Sequence, residues 1–241
     1  TTREGSTTTT AEPASSTTTA DVTTTSSTTS APRTPTTARP TTTAVPPPTA
    51  APAPPFQSSI ETVTQEQLGS SWRAGMGCPT ADQLRAVNVS HWGYDGAVHL
   101  GRLIVDAAHA QRMVAVFRDI YSARFPIERM VPIDQYGGDD QASMRANNTS
   151  GFNCRYVSGT TRLSQHGLGR AVDVNPLVNP YVKGSTVDPP EGAPYADRSR
   201  NDPGMIRGGD AVVRAFAAQG WKWGGYWSSG KDYQHFSASG G

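Results

Sequence analysis

Hydrophobic positions divide the chain into a part that can fold and a part that cannot. Through roughly the first sixty residues Thr, Ser, Pro and Ala dominate, Phe56 is the only aromatic, and apolar side chains recur with neither a helical nor a strand period. From Cys78 onward periodic segments appear. Thr80 and Gln83 have the spacing of a capping box, with Leu84 and Val87 following on one face, which predicts a short helix. Asp95-Gly96 is a turn signal, and Val98 to Val105 reads as a strand. Asp106 caps the clearest helix, in which Ala110, Met113, Val114, Phe117 and Tyr121 form one stripe while Arg112, Arg118 and Asp119 lie off it.

Ile127 to Ile133 reads as another strand, closed by Gly137-Gly138. Asp139-Asp140 opens a short polar helix reaching Arg145, where two acids suit the helix macrodipole. Phe152 to Val157, carrying Arg155, and Ala171 to Val174, carrying Asp173, are expected as strands. Residues 183–209 show no period and predict a long, functional loop. Asp210 caps a last helix with Val212, Val213 and Phe216 inward, stopped by Gly220, and a final strand runs from Tyr233 to Phe236. Strands and helices mix without βαβ alternation, so the fold class is α+β. The expectation is a single domain with a small antiparallel sheet flanked by helices.

Composition sharpens the division. A Thr/Ser/Pro/Ala-rich stretch buries too little apolar surface to offset the ordering cost of about 1–2 kcal/mol per residue. Residues 1–60 are therefore expected to be a disordered tail, in the manner of an extracellular stalk or passive spacer. Residues 61–77 read as a linker and 78–241 as the domain. A domain of that size buries roughly 70% of its unfolded surface. The net charge of +1 and pI near 7.8 give no electrostatic grip on nucleic acid or a membrane surface. No apolar run is long enough to span a bilayer, and the chain opens without a leader pattern, as a mature or trimmed form would. Cys78 and Cys154 are the only cysteines; a disulfide in an oxidising compartment is expected, two buried thiols being the alternative. Lysine occurs only at 183, 222 and 231, for which there is no physical account.

Candidate chemistry enters at residues 163–176, LSQHGLGRAVDVNP. Asp173 lies between Val172 and Val174, and a lone carboxylate in an apolar strand is costly unless something positive shares it. Near the C-terminus KDYQHF places Asp232 three residues before His235. A hydrolytic zinc site takes three protein ligands and keeps a position for water, with a carboxylate nearby as base. His166, Asp173 and His235 fit the ligand roles and Asp232 the base, while Gly167 and Gly169 allow a tight turn between ligands. An ion pair of Asp173 with an arginine such as Arg155 is the alternative. His91, His99 and His109 are read as structural or surface histidines.

The strings Ser164-x-His166-x-x-Gly169-x-Ala171-x-Asp173 and Asp232-x-x-His235-Phe236 resemble the zinc D-alanyl-D-alanine carboxypeptidase family, which includes D,D-dipeptidases and phage endolysins acting on peptidoglycan. The likeness extends to Phe152-Asn153-Cys154-Arg155 and to Asn175-Pro176 through Asn179-Pro180-Tyr181. It implies a zinc peptidase acting on peptidoglycan stem peptides, with His166, Asp173 and His235 as zinc ligands and Asp232 as general base. Arg155 would face the substrate carboxylate or oxyanion, and Ser164 would contact substrate or cap the turn bearing His166. Several members carry glutamate as base where this chain has the shorter Asp232. Arg162 and Arg170 are taken as surface charges. Loop 183–209 with Trp221, Trp223, Tyr226 and Trp227 is expected to shape the cleft. The implied protein is a monomer secreted to a bacterial cell wall or periplasm-like space. D-alanyl-D-alanine carboxypeptidase is the leading activity. An L,D-type endopeptidase, a non-catalytic wall-binding or zinc-containing module, and an adhesin-like stalk protein remain alternatives.

Overall fold

The computed structural model describes residues 53–240, which fall in the unit Ala51–Gly241. Its largest sheet orders β1 (Ser58–Thr62), β2 (Leu84–Trp92) and β3 (Val98–Asp106) side by side, all antiparallel, with Leu84 opposite Asp106 and Trp92 opposite Val98. Both faces of this sheet are covered. Val87, Val89, Leu103 and Val105 face the main core, while Leu84, Ala86 and Ile104 face a smaller one with Val63, Leu68 and Phe152.

That double coverage explains the first departure from the sequence pattern. Thr80 and Gln83 do form a capping box, but it closes a single 3-10 turn, Ala81–Gln83, after which Leu84 starts a strand. A strand buried on both sides loses its period of two, so Leu84 and Val87 mimic helical spacing. The second departure concerns the residues just before Cys78. Residues 1–52 of the expected tail lie outside the described residues, but Ser58–Thr62 pairs with β2 throughout its length. The stretch read as a linker, 61–77, supplies α1 (Gln65–Leu68) and places Val63 and Leu68 in the smaller core, with Trp72 and Met76 packed against it. All five residues of β1 are exposed, so no hydrophobic signal marked the strand; its main-chain pairing to β2 makes it.

The amphipathic prediction holds for the two longer helices. Asp106 accepts the Ala108 N–H ahead of α2 (Ala110–Ser122), which packs on β2 and buries Met113, Val114, Phe117 and Tyr121. The expected strand Ile127–Ile133 shrinks to β4 (Arg129–Met130), because Pro126 and Pro132 bracket it and cannot donate to a ladder. Asp139 caps α3 (Asp140–Arg145), and β5 (Asn148–Thr149) runs parallel to β4. Phe152–Val157 is not a strand. Its amides reach three different neighbours, Phe152 to Ile104 O, Asn153 to His166 O and Cys154 to Ser71 O, so no ladder propagates.

The remaining strands are short and build the cleft. β6 (Ala171–Asp173), β7 (Tyr181–Lys183), β8 (Thr186–Asp188), β9 (Lys222–Trp223), β10 (Lys231–Asp232) and β11 (His235–Ser237) form two three-stranded antiparallel sheets, ordered β6-β11-β9 and β10-β7-β8. Residues 183–209 thus contain a strand and a 3-10 segment, Pro190–Ala196, rather than a bare loop. Arg198 pins the stretch by donating to Val178 O, Asn179 Oδ1 and Ile206 O. Asp210 caps α4 (Ala211–Ala218), whose Phe216 stacks on Phe236 with ring centroids 4.0 Å apart and ties α4 to β11.

Candidate metal centre and cleft

Register alone brings two of the expected ligands together. In the β6–β11 ladder Asp173 and His235 are direct partners. His166 opens a 3-10 turn, His166–Leu168, which ends at Gly169 in the left-handed region at φ 68°. A Cβ at Gly169 would lie 2.6 Å from the Asp106 backbone nitrogen, so the turn into β6 needs glycine for both conformation and space. Ser164 Oγ accepts the Gly167 N–H at 2.9 Å, so of its two expected roles the local brace is present; the residue also lines the cleft.

His166 Nε2 lies 3.1 Å from Asp173 Oδ2 and 3.2 Å from His235 Nδ1, and His235 Nδ1 is 3.1 Å from Asp173 Oδ1. Four ligands arranged tetrahedrally about zinc at about 2.0–2.1 Å stand about 3.3 Å apart, close to these separations. His166 Nδ1 is 2.8 Å from Gly151 O, where it donates, so that in the neutral imidazole Nε2 carries the lone pair toward its two neighbours. Two imidazole nitrogens and a carboxylate converging in a buried site fit a divalent cation. These three residues are the metal-capable group found among the described residues. Burial opposes charge at both Asp173 and His166. Even so, the imidazoles hold Asp173 below the usual carboxylate range, and Asp173 holds His166 above the usual imidazole range. The arginine alternative for Asp173 is not what forms: Arg155 pairs with Asp140 instead, Nη2 to Oδ2 at 2.9 Å.

Asp232, in the neighbouring sheet, lines the same cleft, with Oδ1 shut from solvent and without a hydrogen-bond partner. Burial pushes its carboxyl up to about 7, His235 opposing and Asp173 adding to the shift. Gly224 backs this residue so closely that a Cβ there would sit 2.8 Å from the Asp232 Cβ. The cleft has a volume of about 1180 Å³. Arg155, Ser158, Arg162, Tyr181, Lys183 and Asp188 also line it, and Asp188 accepts from Gln141 Nε2 at 2.7 Å.

The aromatic group splits in two. Trp221 and Trp223 belong to the main core, while Tyr226 and Trp227 line the cleft, Trp227 with its ring centroid 5.4 Å from that of His235. Arg162 and Arg170 are both exposed, as expected of surface charges; Arg170 pairs with Asp106 at 3.0 Å, and Arg162 also lines the cleft. The other histidines stay apart from the centre. His109 meets Trp221 edge-on and His91 stacks on His99. His99 does have a carboxylate, Asp95 at 3.0 Å, but that pair is exposed and lacks a third donor. Cys78 and Cys154 form a disulfide with Cα atoms 5.9 Å apart, in the segment that leads into Arg155. Missed from sequence were Gly151, whose carbonyl orients His166, and Asp140, read only as a helix-end acid; no local pattern marks either.

Residues 158–238 match the protein family described as D-alanyl-D-alanine carboxypeptidase. The matched stretch contains Ser164, His166, Asp173, Asp232 and His235, and supports the resemblance read from the two motifs; Arg155 and both cysteines lie outside it. No curated protein and no solved structure matches the chain.

Proposed function

We propose that the protein is a zinc-dependent peptidase that hydrolyses peptidoglycan stem peptides outside the cytoplasm, acting as a D-alanyl-D-alanine carboxypeptidase. The observation that carries this reading is the convergence of His166, Asp173 and His235 beside a buried carboxylate, Asp232, on one cleft. The family match over the same residues supports the substrate class. His166, Asp173 and His235 would hold the ion. Zinc bound there would acidify a water and polarise the scissile carbonyl. Asp232 accepts the proton from the attacking water and passes it to the leaving amine, work suited to a buried carboxylate with an oxygen that no other group engages. Arg155 holds the peptide carboxylate or the developing oxyanion. The walls of the cleft orient the stem and exclude water from the reacting bond. The disulfide favours an oxidising, extracytoplasmic setting.

An endopeptidase cut within the stem is the second reading. A cleft of about 1180 Å³ exceeds what a terminal dipeptide fills. Mass spectrometry of products from a stem pentapeptide, with zinc and again with a chelator, separates the readings. Chelator-sensitive release of one alanine establishes the carboxypeptidase, and a larger fragment establishes the endopeptidase. A folded, zinc-loaded protein that releases nothing sinks both and leaves a wall-binding module.

A further inference from the structure

Arg155 does not stand alone on its wall of the cleft. Its Nη2 lies 2.9 Å from Asp140 Oδ2, and both side chains are 28% exposed, so the pair is sheltered but open to a ligand. The other oxygen of Asp140 accepts from Asn153 Nδ2 at 3.3 Å. Asp140 therefore bridges the arginine and a residue two positions before it, whose own amide bonds the carbonyl of His166. The backbone of Arg155 is fixed from the same direction, its carbonyl accepting the Ser164 N–H at 3.0 Å. Arg155 Nε is buried without a hydrogen-bond partner, and the part of the side chain left exposed is what a ligand in the cleft can reach. Asp139, not Asp140, caps α3 by accepting from Gln141 N and Ala142 N. The second acid is thus released from capping and turned toward the cleft.

We infer that Asp140 is a positioning residue: with Asn153 it holds the Arg155 guanidinium in one orientation relative to the His166–Asp173–His235 centre, so that the remaining N–H groups meet the carboxylate or oxyanion of a peptide substrate. This rests on the proposed peptidase reading of the cleft. The chemistry selects the role. An arginine without a fixed partner samples more rotamers, and each bound ligand must then offset their loss. A carboxylate that holds one Nη of the guanidinium lowers that cost and leaves the planar group aimed. Asp140 acts through Arg155 and touches no reacting atom.

The test is a double-mutant cycle on the zinc-loaded full chain with Asp140→Asn, Arg155→Ala and both together, plus Asp140→Glu. A stem pentapeptide ending in D-alanyl-D-alanine serves as substrate. Turnover is followed by alanine release, peptide binding by calorimetry, and zinc content and Tm are measured for every variant. Asp140→Asn keeps the shape and is expected to fold. Positioning predicts about a tenfold loss in kcat/KM for Asp140→Asn, carried mainly by KM, with zinc content and Tm unchanged. Asp140→Glu recovers part of it, and the double variant is no worse than Arg155→Ala alone. Losses that multiply in the double variant, or an Asp140→Asn enzyme within twofold of wild type, overturn the inference. Wild type that binds the peptide without cutting it defeats the hydrolase reading, while the same cycle read in Kd still decides Asp140. Wild type that neither binds nor cuts overturns both.

Discussion

The two sides of the cleft are held by different kinds of structure. The candidate metal ligands sit on a ladder: β6 and β11 place Asp173 directly opposite His235, and a glycine-ended turn returns His166 to them. The arginine side has no ladder. Residues 152–155 run through irregular backbone whose amides bond three separate partners, and the Cys78–Cys154 disulfide and Asp140 finish the work. A ladder fixes side-chain direction through a repeating pattern, so it tolerates change outside the ligands. An irregular segment is fixed only by the sum of its individual ties, so each tie matters.

The largest effect expected on the ladder side is loss of the ion. His235→Ala or Asp173→Ala should remove stoichiometric zinc, measured by metal analysis, and lower activity by about a thousandfold or more. Retention of zinc by either variant breaks the proposed ligand set. Next, Asp232→Asn should keep zinc and lose about 10²–10⁴-fold in kcat, as for a missing general base. Full activity in that variant would mean another group takes the proton.

On the irregular side, Cys78→Ser should lower stability by about 2–5 kcal/mol in denaturant melts. Among molecules that remain folded, the loss should appear in KM more than in zinc affinity, because the tie lies beside Arg155 and not in the ladder. Equal loss of zinc and of substrate binding would erase the contrast between the two sides.

Acidity tests the ladder side without mutation. In the metal-free protein the pKa values of His166 and Asp232 are both raised, Asp232 to about 7. Groups raised on folding contribute stability below their unfolded pKa values of 6.5 and 3.8 and lose it as pH climbs through the folded values. Asp173, lowered on folding, contributes a constant amount above 3.8. Tm of the metal-free protein should therefore fall from pH 5 to pH 8, whereas zinc-loaded protein should not follow that fall, since the ion requires deprotonated ligands. A flat metal-free profile would show that the cluster is not coupled to folding. The smallest effect concerns the tail. Removal of residues 1–52 should leave kcat/KM unchanged, while removal of 1–60 also deletes Ser58, Ser59 and Ile60 from β1 and should lower Tm.

Legibility follows the same line. The helices at 110–122 and 211–218 were evident because a one-sided apolar stripe and an aspartate cap are local signals. Strand β2 was hidden because burial on both faces blurred its period, and β1 because an exposed edge strand has no hydrophobic signature. The candidate ligands and Asp232 were readable because each motif packs its chemistry into a few adjacent positions. Asp140 was not, for it lies fifteen positions before Arg155 with a turn and an irregular stretch between, and a pair of acids at a helix start has a sufficient local explanation.

The sequence by itself determined the α+β class, the two longer helices, the donor set and the candidate base, since all depend on short-range spacing and side-chain chemistry. Only the tertiary structure decided that Ser58–Thr62 joins the sheet and residues 61–77 the smaller core, which carbonyl orients His166, which carboxylate holds Arg155, and which aromatics enter the cleft. Those contacts join distant segments through main-chain ladders and irregular packing, and neither leaves a periodic trace along the chain.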